Sequence, residues 1–183
     1  MRKIICALSL LGALVLASAV NAAAPTSFAG TWALDKSKSQ GLSPQVQGAD
    51  SVSWTITQTD KEITIEQKVT GGAMASGGGP GGPGGGGRGG GMGGGPRTYN
   101  LDGSETTADM GRGKAVRKAS WSKDGKTLEL SSKSTFQGQD GAEVTSTSND
   151  KMQLSGDGKT LTVIRHSESP RGTQDTTYVF TKQ

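Results

Sequence analysis

The sequence predicts an all-β protein, an antiparallel up-and-down barrel of about eight to ten strands, on three observations. Apolar and polar side chains alternate with a period of two along most of the chain beyond residue 50. Asp-Gly pairs fall between the alternating runs, where tight hairpins need unusual backbone angles. No stretch of about eleven residues shows a helical period bounded by caps.

Taken in order, the chain opens on MRKIICALSLLGALVLASAVNA, residues 1–22. Arg2 and Lys3 precede an apolar run from Ile4 to Leu16, and Val20 and Ala22 suit the small positions of a cleavage site. The expectation is a secretory signal peptide and a secreted or periplasmic product, with no transmembrane anchor after cleavage. The apolar run is short for a hydrocarbon layer of about 30 Å. Cys6, the only cysteine, lies in this leader. Residues 23–183 therefore offer no disulfide, thiol nucleophile or thiolate metal ligand. Losing Arg2 and Lys3 lowers the formal charge from +4 to +2, which speaks to solubility rather than to a nucleic-acid partner.

The next feature is GGAMASGGGPGGPGGGGRGGGMGGGP, residues 71–96, of which 17 of 26 are glycine. Glycine loses the most backbone entropy on ordering and brings no side chain to bury, so a disordered loop is expected. The loop either links two domains or is inserted in a hairpin of one. Lengthening a loop costs only about 0.6 kcal/mol per doubling, and residues 28–70 hold few strands, so 23–183 reads as a single domain. Arg88 alone gives little attraction for phosphate, and no Gly-Lys-Ser/Thr follows the glycines, so neither RNA nor a nucleotide is expected.

Strand patterns flank the tract. Val52, Trp54 and Ile56 share one parity, then Ile63, Ile65 and Val69, then Tyr99 and Leu101. ETTADM and KAVRKASW follow, the latter with Ala115, Arg117, Ala119 and Trp121 on one side. KTLELSSKSTF places Leu128, Leu130, Ser132, Ser134 and Phe136 together. AEVTSTSNDKMQLS, KTLTVIRHSES with Leu161, Val163 and Arg165, and TTYVFTK complete the series. Asp102-Gly103, Asp124-Gly125, Asp140-Gly141 and Gly156-Asp157-Gly158 punctuate it. Closing such a meander into a barrel removes its exposed edges, and a barrel of this size holds a small ligand.

Phe28-Ala29-Gly30-Thr31-Trp32 resembles the opening of lipocalin-like, or calycin, barrels, in which a Gly-x-Trp motif begins the first strand. The longer FAGTWALDKSKS and the late Asp-Gly-Lys hairpins resemble small secreted bacterial lipocalin-like proteins, whose activity is generally unassigned. The resemblance covers the mature chain outside 71–96. It implies that Gly30 permits close backbone approach and that Trp32 plugs one barrel end, often packed with an arginine from a late strand. Physically, a tryptophan there buries about 150–250 Å².

The inward faces mix Ser, Ala, Trp and Arg, where a solid core prefers Leu, Ile, Val and Phe. The expected site is a pocket lined by Trp54, Tyr99, Trp121 and Phe136, with Arg117 or Arg165 holding an acid group. Similar barrels that carry lipids often use inward arginines in this way. A buried guanidinium needs a partner. The alternatives are a bulge that turns either arginine outward, or Arg165 stacked on Trp32. His166, the only histidine, is weighed as a haem or metal ligand and read as a surface residue, since it has no Cys or second His to help it. No Gly-x-Ser-x-Gly elbow is present, and Asp102, Asp124 and Asp157 read as turn residues. The expectation is a noncatalytic binding protein for a small apolar or amphipathic molecule such as a lipid, without catalytic residue, metal or cofactor. A filled barrel serving as an envelope interaction module is the competing reading.

Overall fold

The computed structural model describes residues 26–71, 95–111, 113–138 and 141–183. Leader 1–22 and most of the glycine tract lie outside the described residues. Ten strands and one short helix follow along the described chain. They are β1 (Gly30–Leu34), α1 (Pro44–Gly48), β2 (Ser51–Gln58), β3 (Glu62–Thr70), β4 (Arg97–Asn100) and β5 (Thr106–Asp109). Then come β6 (Gly113–Trp121), β7 (Thr127–Gln137), β8 (Glu143–Leu154), β9 (Thr160–Ser169) and β10 (Gly172–Lys182). The described residues include no helix long and apolar enough to cross a membrane.

All ten strands belong to one antiparallel sheet in the order β4-β3-β2-β1-β10-β9-β8-β7-β6-β5. The all-β barrel expected from the alternation is the observed fold. The first strand pairs with the last, Trp32 opposite Lys182. The two sheet ends, β4 and β5, are consecutive in sequence and meet without a ladder. Thr106 Oγ1 donates to the Thr98 carbonyl at 2.9 Å across that seam, leaving the barrel nearly closed. The strands that flank the glycine tract, β3 and β4, are direct neighbours, with Ile63 opposite Tyr99.

Two hairpins are built alike. In the β6–β7 turn the Ser122 hydroxyl donates to Asp124 Oδ1 at 2.6 Å, Lys126 N donates to the same oxygen, and Thr127 N donates to Ser122 Oγ. Ser155, Asp157, Lys159 and Thr160 repeat this pattern between β8 and β9. These bonds hold Asp124 and Asp157 below the ordinary carboxylate pKa, the serine hydroxyl contributing most. Gly125 and Gly158 follow each aspartate at φ 67°, a left-handed angle that a β-carbon disfavours.

One end of the barrel is filled. Phe28, Trp32, Leu128, Met152, Leu161, Val163 and Phe180 are completely buried there. Trp32 Nε1 donates to the Phe28 carbonyl at 2.9 Å, and the Phe28 ring stacks on Trp121 at 5.9 Å. Trp32, expected as the plug, is completely buried at this end, and its cation is Lys182 of β10, with Nζ 5.4 Å from the ring centre. Arg165 is elsewhere, so the stack of Arg165 on Trp32 is not formed.

The other end is partly covered by the β1–β2 connection, whose α1 turn was not foreseen. Ser43 caps it and Pro44 starts it, as both residue types favour. Val46 is completely buried beneath it. The segment is tied to β10 through Gly41, whose carbonyl accepts from Gln174 Nε2 and Thr176 Oγ1. A β-carbon on Gly41 would lie 2.3 Å from the Asp175 carbonyl oxygen, so only glycine permits this approach.

Candidate functional site

The pairing register sorts the inward side chains of β6 to β10 into cross-strand rows. Nearest the filled end, Trp121, Leu128, Met152, Val163 and Tyr178 align. The next row holds Ala119, Leu130, Asp150, Arg165 and Thr176. The row toward the open end holds Arg117, Ser132, Ser148, Ser167 and Gln174. The interior therefore changes from apolar to ionic to hydroxylated within three rows.

The ionic row is anchored by a bidentate pair. Arg165 Nε and Nη2 donate to the two Asp150 carboxylate oxygens, each at 2.6 Å. Both side chains are largely buried, at 14% and 5% exposure. Burial opposes the Arg165 charge, but the Asp150 hydrogen bonds outweigh it and raise its pKa above the ordinary guanidinium value. The Arg165 guanidinium also lies over the Tyr178 ring at 5.3 Å.

Facing it from β4 is Arg97, whose guanidinium covers the Trp54 ring at 5.5 Å. Trp54 is buried, lies tilted against the Phe180 ring with centroids 4.6 Å apart, and donates from Nε1 to Gln67 Oε1. Burial lowers the Arg97 pKa most, and repulsion from Arg165 and Arg117 lowers it further. Buried Tyr99, on the same strand, has its pKa raised by burial, with Arg97 opposing. Arg117 sits between Ala115 and Ala119, each 1% exposed, so its inward parity holds. Nη2 of Arg97 and Nε of Arg117 are sealed from solvent and have no hydrogen-bond partner among the described residues.

Among the described residues the strands thus bring three guanidinium groups, Arg97, Arg117 and Arg165, into electrostatic reach of one inward carboxylate, Asp150. The single carboxylate is committed to Arg165. An unsatisfied buried charged donor is costly, so Arg97 and Arg117 set up a positive field in the interior at a cost to stability.

Beyond this row a cavity of about 360 Å³ opens at the mouth of the barrel. Its wall carries Ser132 and Ser134 of β7, Ser146 and Ser148 of β8, and Ser167 and Ser169 of β9. Arg165, Tyr178 and Glu168 also line it, and Ser43 and Gln45 of the covering segment face it.

The predicted pocket residues separate. Trp54, Tyr99, Arg117 and Arg165 converge on the interior. Trp121 packs on Phe28 at the filled end rather than lining the mouth. Phe136 is 40% exposed and lines a separate open groove with Thr107, Gly113 and Lys114. The β7 strand runs beyond the core at that point, so inward parity no longer means enclosure. His166 faces outward, with Nδ1 2.6 Å from Asp175 Oδ1 and Nε2 3.4 Å from Glu168 Oε1. Those contacts raise its pKa, Asp175 contributing most. Two interior groups were missed. Arg97 begins RTYNL and shares parity with Tyr99, and Asp150 shares parity with Met152, so alternation carried both signals.

No family model matches the chain, and no curated protein matches it. A solved structure similar in outline is the zebrafish ileal bile acid-binding protein complexed with cholic acid, at 14% identity and a TM-score of 0.45, over 85% of this chain and 98% of that one.

Proposed function

We propose that the barrel is a noncatalytic binding protein for a small organic acid, held by its anionic group in the field of Arg97 and Arg117. The observation that carries this reading is the pair of sealed, unpartnered guanidinium N–H groups beside a carboxylate already bound to Arg165. A cavity at the barrel mouth, lined by Arg165 and by Ser132, the cross-strand neighbour of Arg117, gives a molecule room. Binding is preferred to turnover because the inward carboxylate is engaged and His166 lies on the outer surface with Asp175 and Glu168. The open mouth favours carriage over a filled interaction module. Leader 1–22 motivates the further proposal that the protein works outside the cytoplasm, secreted or periplasmic.

Native mass spectrometry of protein purified from its own compartment tests the function. The expected result is a stoichiometric organic acid on the wild type that is lost from Arg97→Met/Arg117→Met. A bound molecule without an acid group, or equal occupancy of the double variant, would overturn the reading. So would an apo wild type that takes up no added organic acid.

A further inference from the structure

We infer that the acid bound here has a hydroxylated body, in the chemical class of sugar acids and sugar phosphates, and does not carry an acyl chain. The inference rests on the proposed anion site and names the class of molecule that site takes. Its basis is the wall a ligand meets on leaving the arginines.

Arg117 stands opposite Ser132, Ser132 opposite Ser148, and Ser148 opposite Ser167. Ser134 and Ser146 face each other one row further out. Directly opposite side chains on one sheet face are about 4.5–5.5 Å apart, a spacing that suits hydroxyls on alternate carbons of a sugar ring. Ser167 and Ser169 give their hydroxyls to the carbonyls of Gln174 and Gly172. Ser132, Ser134, Ser146 and Ser148 bond to no protein group among the described residues, so all four hydroxyls are available to a ligand.

Among the described residues the mouth is lined by no Leu, Ile, Val, Met or Phe, and Tyr178 is its one aromatic. Toward the filled end, Leu128, Met152, Leu161, Val163 and Phe180 are completely buried against one another. Toward the mouth, a tail would cover the serine hydroxyls and remove them from water without replacing their hydrogen bonds, which is unfavourable. A hydroxylated acid satisfies both parts of the wall. Its carboxylate or phosphate lies beside Arg165 in the field of Arg117 and Arg97, and its hydroxyls bridge Ser132, Ser148 and their neighbours. The cavity of about 360 Å³ is at the small end for ligand pockets and fits a molecule of one or two rings.

Isothermal titration with four probes tests this, using the whole mature protein. The probes are glucuronate, glucose 6-phosphate, dodecanoate and methyl glucoside. Wild type is expected to bind glucuronate or glucose 6-phosphate at least about tenfold more tightly than dodecanoate, and methyl glucoside weakly. Ser132→Ala/Ser148→Ala removes two hydrogen-bonding hydroxyls and is expected to weaken the hydroxylated acid by about tenfold or more. That variant should leave dodecanoate unchanged or improved. Arg117→Met should weaken every acid.

Dodecanoate binding more tightly than both hydroxylated acids, with Arg117→Met abolishing it, would overturn this inference and leave the acid-binding function standing. Methyl glucoside binding as tightly as glucuronate would remove the anion site and overturn both. Binding of none of the acids would also overturn both. The comparison among probes on wild type needs no variant to fold.

Discussion

Replacing Arg97 with Met should make the unliganded protein more stable while weakening its hold on an acid. Arg97 carries its charge into a region where burial, Arg165 and Arg117 all lower its pKa, and its Nη2 has no partner. Exchanging buried ionic groups for apolar ones of similar volume stabilises by about 1–4 kcal/mol. The contact over Trp54 at 5.5 Å is lost in the exchange, and a desolvated cation–π contact contributes about 1–2 kcal/mol. The balance is a gain of about 1 kcal/mol, which for a domain this size raises Tm by about 2–4 °C. Asp150→Ala should act in the opposite direction. It strips the carboxylate from Arg165 and leaves three interior guanidinium groups unopposed, at a cost of about 3–5 kcal/mol. Thermal and urea denaturation followed by circular dichroism, with both variants in one buffer, measures the two signs. A Tm for Arg97→Met at or below that of wild type would refute the claim that the interior holds an uncompensated positive charge.

Two further outcomes follow from the outer and closed ends of the barrel. Trp32→Ala empties the plug and frees the Phe28 carbonyl from its Nε1 donor; the expected loss is about 3–5 kcal/mol, seen as a fall of about 2 M in the urea midpoint, and an unchanged midpoint rejects the plug. His166 has a folded pKa raised by Asp175 and then Glu168, so its contribution is complete below its unfolded pKa of about 6.5 and is lost as pH rises through the folded value. Wild type should therefore exceed His166→Ala in Tm at about pH 5.5 and match it at about pH 8.5; a difference that is the same at both pH values would show that the imidazole charge is irrelevant.

The fold was legible because one signal, period-two alternation, governs nearly every element. It placed Val52, Trp54 and Ile56 inward, and all three are buried. It also put Arg117 and Arg165 on inward faces, where they are found. Parity alone says nothing about height along the barrel axis. Trp121 and Phe136 have inward parity, yet one lies at the filled end and the other beyond the opposite rim. Separating them requires the register across five strands, which is set by the hairpins and cannot be read from any single run. Asp150 escaped notice because a carboxylate among Ser, Asn and Lys reads as surface until its parity with Met152 is followed. The α1 turn was missed for a different reason: five residues are too few to show a helical period, although Ser43-Pro44 is a start signal.

The pairing of β1 with β10 constrains how the chain reaches this state. Trp32 and Lys182 are neighbours in the sheet but lie at opposite ends of the folded chain. Contacts of such long sequence separation are slow to form, because the ends must meet before the bonds between them contribute. The strands from β6 to β10 can zip through short hairpins, but the Trp32 end stays open until the last strand is present. A chain ending before Gly172 would leave β1 and β9 each with an unpaired edge, inviting association with a second copy. Assembly of the barrel thus waits for β10, which acts as its latch.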